Sequence, residues 1–438
     1  MRLRSLKAGG RLWNSEKAGS APEPTKMTRQ LQIRCYAHLE ALHCLRPAWE
    51  SLLSQIPHAT IFNTWEWLAP WWHAYGKNRE LMVLAFFEGG TRLVGLAPLS
   101  VTPKRSALSV RYRLLGLLGD GSGDSDNLDF LALPGFEKSV VRSFLDFLER
   151  DPSVWDCCQL NTLPDGSPVL GHLLDELKER RWPEAIHPRL RSAVALPADW
   201  DSYLSQISKN ERRKLLYYSR RVAKRFKAEF YKCSDEGVLP ASLNALFELH
   251  NKRWRSLGES GTFVSVERRQ FYIQLAQFLL RRGWLDFWLL KLNDETVAAQ
   301  FALRYRDTVY ALQEGFDPAY ALESVGFVLR GHVLRELISA GVRHYDFLAT
   351  PNPSKQRFGA VTGSYVDVHF ARPRTRGSAC LHLLHTAWNS KEWLRRQLPP
   401  SAWSVLHRLH VQLQTTGNVE DTSEHSMSES PCRLSTDS

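Results

Sequence analysis

Lys355 and Arg357, in the run Lys355-Gln-Arg-Phe-Gly359, follow the predicted last strand of a helical crossover near the C-terminus. The carboxyl edge of such strands is where ligands tend to bind. An ammonium there can neutralise a phosphate or a developing oxyanion, although a surface loop charge is the plainer reading. Asp346, in the strand segment YDFL, can orient an amine, act as a general base, or simply pair with an arginine. Glu314 lies on the segment VYALQEGF; facing a cleft, it can deprotonate an incoming amine. His250, Arg253 and Trp254 share a predicted helix, with His250 and Trp254 one turn apart on one face. Histidine suits a base and arginine a phosphate clamp; a core-packed Trp beside a satisfied His is the ordinary alternative. No GxSxG elbow, HExxH, phosphate-binding P-loop or GxGxxG after a strand is present, and nothing demands a metal or a covalent nucleophile.

Such residues need a frame. From Trp284 to Ala360 the pattern reads strand, Asn293-Asp294-Glu295 turn, two more strands, one long helix and a short strand. A meander that returns through a right-handed helical crossover leaves an antiparallel strand beside a parallel one. Where those neighbours diverge, a thin pantetheine-like or extended substrate can lie. The first half has the same layout: LMVLAFFEGGTRLVGLAPLSV echoes LDFWLLKLNDETVAAQFALRY, each a hairpin preceded by helices and followed by strands. The fold class expected is therefore α/β with a mixed sheet, in two tandem units. The expected divisions are a disordered basic segment 1–28, a first unit 29–188, a second unit 189–372, an amphipathic helical extension 373–414 and a disordered tail 415–438. Met27 is a candidate true start, because the residues before it lack the apolar core of a secretory signal.

Composition narrows the partners. The chain has 438 residues and a formal net charge of +11, unevenly spread. Between Lys209 and Lys227 stand nine Lys/Arg and one Glu, with Leu215, Leu216, Tyr218, Val222 and Phe226 at helical spacing. Arg212 and Arg213 lie on this amphipathic basic helix and are candidates for binding an anionic substrate. A basic face suits phosphorylated sugars, lipid headgroups or RNA, and equally a solvated surface. No RNA module and no interleaved stacking aromatics accompany it, and nothing points to DNA. The seven Cys are odd in number without CxxC spacing, as in a reduced cytosolic protein. No run of about 18 apolar residues exists to span a membrane. The C-terminal segments with Trp388, Trp393 and Trp403 can pack on the second unit or touch a membrane surface.

Residues 190–360 resemble the BioF2-like acetyltransferase domain of the GNAT superfamily, found in CelD-like cellulose-biosynthesis proteins. The segments LSQISKNERRKLLYYSRRV, LFELHNKRWRSLG, GTFVS, GFDPAYALESVGFVLRGHVLREL and YDFLATPNPSKQRFGA carry the likeness. FNTWEWLAPWW, LVGLAPL and GDSDNLDFLALPG fit the accompanying N-terminal unit, and the architecture is similar to that of FemABX peptidyltransferases. The resemblance implies acyl transfer to an amine or hydroxyl of a cell-envelope or exopolysaccharide precursor, with acyl-CoA (acetyl-CoA) as donor and no metal. It implies a cytoplasmic enzyme, in peripheral contact with the inner membrane face, acting on a small-molecule or glycan- or lipid-linked acceptor. It also implies that the loop 119–129, with Asp126, lines the substrate. The stretch Glu314–Gly326 should meet the donor pyrophosphate, yet it lacks the usual Gly-rich loop, and Asp317 and Glu323 would repel that anion. Ser324 is the expected N-cap of the following helix. The alternatives are a FemABX-like transferase using aminoacyl-tRNA, or a non-catalytic component of a polysaccharide machine.

Overall fold

The computed structural model describes residues 30–105, 110–349 and 351–397. The expected disordered segments 1–28 and 415–438, with Trp403, lie outside the described residues. Thirteen strands form one sheet: β1 (Gln32–Tyr36), β2 (Glu80–Glu88), β3 (Arg92–Arg105), β4 (Arg111–Leu117), β5 (Leu131–Ala132), β6 (Cys157–Pro164), β7 (Glu184–Ala195), β8 (Ala228–Lys232), β9 (Leu285–Leu292), β10 (Glu295–Tyr305), β11 (Thr308–Phe316), β12 (His344–Ala349) and β13 (Val361–Ala371). The spatial order is β1-β2-β3-β4-β6-β13-β7-β12-β11-β10-β9-β8, with β5 beside β3.

That order is a tandem repeat with its last strands exchanged. In the first unit β4 runs parallel to β6; in the second β11 runs parallel to β12. The strand next to β6 is β13, from the end of the second unit, and the strand next to β12 is β7, from the end of the first. β7 and β13 then pair antiparallel with each other from Val361↔Ala193 to Phe370↔Glu184, making the sheet continuous. The division placed at 188/189 from the sequence falls inside β7.

Local chemistry explains the hairpins. Gly89 and Gly90 take positive φ in the three-residue turn between β2 and β3, and Asn293 and Asp294 do so in the two-residue turn between β9 and β10, as tight hairpins require. Two bare backbones set the layer spacing. A Cβ on Gly315 would lie 2.4 Å from the His250 nitrogen, so β11 rests directly on the helix Leu239–Ser256. A Cβ on Gly331 would lie 2.4 Å from Leu215, so the crossover helix Val325–Ser339 sits tightly on the basic helix Lys209–Arg225.

The two units also share a core. Trp67, on the first unit's helix Trp65–Tyr75, meets Phe271 of the helix Val266–Arg281 edge-on at 5.2 Å. Arg306 donates to the carbonyl oxygens of Leu53, Ile56 and Pro57 across the junction. The segment NLDFLALP contributes only the two residues of β5, which pair with Gly95 and Leu96 of β3, while the Leu133 N–H donates to the Val94 carbonyl oxygen at 2.9 Å.

Candidate active site

β11 and β12 hydrogen-bond over only three pairs, Thr308↔His344, Val309↔Tyr345 and Tyr310↔Asp346, and then part. Both strands are irregular where they separate. Leu312 is an extra residue in β11, since Ala311 and Gln313 pair with the consecutive Ala302 and Phe301. In β12, Leu348 takes φ 62, a conformation costly for a branched side chain. Asp346 secures that distortion: one carboxylate oxygen accepts from the Leu348 N–H at 2.7 Å and the other from Arg191 at 3.2 Å. Of the roles open to Asp346, pairing with an arginine is the one its geometry contains. It is buried and does not line the cavity.

The parting opens a cavity of about 320 Å³. Lys355, Glu314, His250, Arg253, Trp254 and Asp126 all line it, so six residues singled out in the sequence converge here. Lys355 stands on the short helix Pro353–Gln356, capped by the Asn352 side chain. Its ammonium donates to the carbonyl oxygens of Phe347 (2.8 Å) and Ala349 (2.7 Å), at the end of β12. Burial lowers its pKa from the ordinary lysine value. At the same end of β12, the loop 119–129 turns through Gly119, Gly121 and Gly123, each with positive φ. It delivers Asp126, whose carboxylate accepts from the Ala349 N–H at 2.8 Å. Burial pushes the Asp126 carboxyl up to about 6, against that hydrogen bond and with the help of the Asp346 charge.

Glu314 is held between two guanidinium groups. Arg253 donates to one oxygen at 3.0 Å and Arg330 to the other. Burial works to raise its pKa, but Arg330 and Arg253 together hold it below the usual carboxylate range. A carboxylate so engaged is a weak proton acceptor. His250 accepts the Trp254 indole N–H at 2.9 Å on Nε2, and burial pushes its imidazole down to about 4. It is therefore neutral at physiological pH, with its proton on Nδ1.

Among the cavity residues not singled out from the sequence are Arg330, Gln300 and, within the loop 119–129, Asp124. Arg330 interrupts the apolar face VGFVLRGHVL, and a lone charge where packing wants a hydrophobe was the available signal. Asp124 accepts from Arg268 (2.6 Å) and Tyr272 (2.8 Å) on one oxygen. Its other oxygen has no hydrogen-bond partner among the described residues, and neither has the buried carboxamide nitrogen of Gln300.

A second recess of about 250 Å³ adjoins the first and shares Arg253, Glu314 and Arg330 with it. Ser324, Val325 and Gly326 at the start of the crossover helix line it, with Arg357. Arg357 also bonds Glu211 at 2.7 Å. Ser324 holds the N-cap position of that helix, as expected, but its side chain caps nothing; it sits in the left-handed region with φ 51. The expected anion repulsion is compensated: Asp317 pairs with Lys252, and Glu323 with Arg221 and Arg225. Arg212 and Arg213 line neither recess; Arg213 lies on the outer face of the basic helix.

Residues 209–356, which bear this cleft, match the family model described as an acetyltransferase (GNAT) domain. The chain carries a GNAT domain. The paired units around it give the chain a FemX-like fold, and the matched domain is of the GNAT acetyltransferase type. The crystal structure of FemX superposes with a TM-score of 0.53 at 11% identity, covering 74% of this chain and 95% of FemX, a likeness of fold. The L-PGS structure from Bacillus licheniformis gives 0.46 at 10% identity, over 77% of this chain and 94% of its own. A tandem GNAT protein from the clavulanic acid biosynthesis pathway gives 0.43 at 11%, over 78% and 98%. No curated protein sequence matches the chain. Among the described residues no helix is long and apolar enough to cross a membrane.

Proposed function

We propose that this GNAT cleft transfers an acyl group from acyl-CoA to an amine or hydroxyl of a cell-envelope or exopolysaccharide precursor at the cytoplasmic face of the membrane. The observation that carries the reading is the parting of β11 and β12, with Lys355 and Asp126 both lining the cavity it opens and both hydrogen-bonded to Ala349 at the end of β12. A donor entering between the strands would bring its carbonyl to the lysine side. Asp126 takes the proton of the acceptor nitrogen or oxygen, which bonds to the acyl carbon. The Lys355 ammonium stabilises the oxyanion that forms, the carbon–sulfur bond breaks, and the thiol leaves with a proton. Glu314 orients Arg253 and Arg330, and Asp346 holds the end of β12 on which Lys355 rests.

The residues present fit an anionic donor. Arg253, Arg330 and Arg357 line the recess at Ser324–Gly326, and the nearby acidic side chains are neutralised by pairing. In this reading the second unit supplies Lys355 and the donor recess, while the first supplies the base Asp126 on its loop 119–129. The test is thermal stability of the full chain with acetyl-CoA, longer acyl-CoAs, free CoA or bulk tRNA, at low and moderate salt. Ligands of the native state raise its midpoint. A salt-resistant rise with CoA compounds, lost in Arg330→Met, supports the donor assignment. A rise with tRNA alone replaces it with aminoacyl-tRNA.

A further inference from the structure

The basic helix Lys209–Arg225 turns Leu215 and Val222 inward. Its outer stripe runs Arg213, Leu216, Tyr217, Arg220 and Lys224, at three- and four-residue steps along one face, around a shallow recess of about 650 Å³. Leu216 is 37% exposed and Tyr217 55%. Among the described residues Arg220 and Lys224 form no ion pair, while Arg213 reaches only the Asn210 side chain, at 3.3 Å. Next to the stripe, Arg221 and Arg225 grip Glu323, which ends the 3-10 turn Pro318–Glu323. The residue before it, Leu322, is 78% exposed. Cations without ion-pair partners among the described residues and exposed aliphatic side chains thus lie on neighbouring surface, beside the turn that borders the donor recess.

We propose that this surface docks on an anionic phospholipid leaflet, Arg213, Arg220 and Lys224 pairing with headgroup phosphates while Leu216, Tyr217 and Leu322 enter the interface between headgroups and acyl chains. The charge complementarity is that of a polybasic amphipathic helix on an anionic membrane. The exposed leucines decide against RNA. A ribose–phosphate backbone gives an aliphatic side chain nothing to bury, and Tyr217 has only Tyr218 beside it, in an edge contact rather than a series of stacking platforms.

The test is cosedimentation of the full chain with vesicles of phosphatidylcholine alone or with about a third phosphatidylglycerol, alongside a tRNA gel shift. The expected result is binding to the phosphatidylglycerol vesicles only, weakened about tenfold or more by Arg220→Glu with Lys224→Glu. Leu216→Ser with Leu322→Ser should weaken vesicle binding at constant charge. All four side chains sit on the surface, so an unchanged melting midpoint in the variants confirms folding. Equal binding to both vesicle types, binding to tRNA without vesicles, no binding to either, or indifference to the leucine changes each overturns the proposal. Thermal response to acyl-CoA is read separately, so the donor assignment stands or falls on its own.

Discussion

Glu314→Gln changes one oxygen for an amide and little else in volume, so its effect reports charge. The carboxylate serves two arginines unequally. Arg253 is partly exposed and can turn to water. Arg330 cannot: its side chain is 8% exposed and lies over the Phe347 and Phe358 rings at 5.1 and 5.3 Å. The substitution therefore strands one buried guanidinium, and breaking a buried pair costs about 3–5 kcal/mol. Glu314 is itself 31% exposed, which places the loss at the low end, about 3 kcal/mol. Against a typical total stability of about 5–15 kcal/mol this is a large fraction. Denaturant titration followed by tryptophan fluorescence measures it. Adding Arg330→Met to Glu314→Gln removes the stranded charge and should recover about 2 kcal/mol. The pH dependence carries its own sign. A carboxyl whose folded pKa is lowered from 4.5 contributes fully above that value and loses its contribution as pH falls through the folded pKa. The gap between wild type and Glu314→Gln should hence narrow in acid. A loss under about 1 kcal/mol, or a double variant weaker than the sum of its parts, refutes the clamp.

Lys355→Ala should lower acyl transfer by about 10²–10³-fold at unchanged KM, read by steady-state kinetics with acetyl-CoA and the acceptor identified by screening. Since burial lifts the Asp126 carboxyl to about 6, the rate should climb with pH through that value as the base form appears. In Asp126→Asn that limb should vanish from the pH–rate profile, with a fall of about 10²-fold or more. Arg306→Ala strips three carbonyl oxygens of their donor at the junction of the units; about 2 kcal/mol should disappear in denaturant titration.

The hairpins were legible because their signals are local: alternation, and turn residues that tolerate positive φ at Gly89, Gly90, Asn293 and Asp294. The cavity members were legible too, since His250, Arg253, Glu314, Asp126 and Lys355 are residue types that do chemistry, set among apolar segments or in a Gly-rich loop. What the residues do to one another was not. Glu314 reads as a base until Arg330, on the buried face of a helix 16 positions later, takes one of its oxygens. Asp346 reads as catalytic until Arg191, 155 positions earlier, is brought beside it by β7. The strand exchange was invisible for the same reason. Pairing β7 with β12 and β13 with β6 defies the rule that sequence neighbours sit together in space, and no residue type advertises such a swap.

That exchange bears on how the chain must be made. A first unit fresh from the ribosome carries β6 with one edge bare, because its neighbour is β13, which ends at Ala371. Until then the finished half presents an unpaired, apolar sheet edge, the kind that seeks another chain. The chain must be made through Ala371 before the first half can close, so that step waits on the second unit. Cutting at the repeat boundary would yield two fragments, each lacking the other's strand. Mixed together, they are the natural candidates for reassembly, and apart, for aggregation.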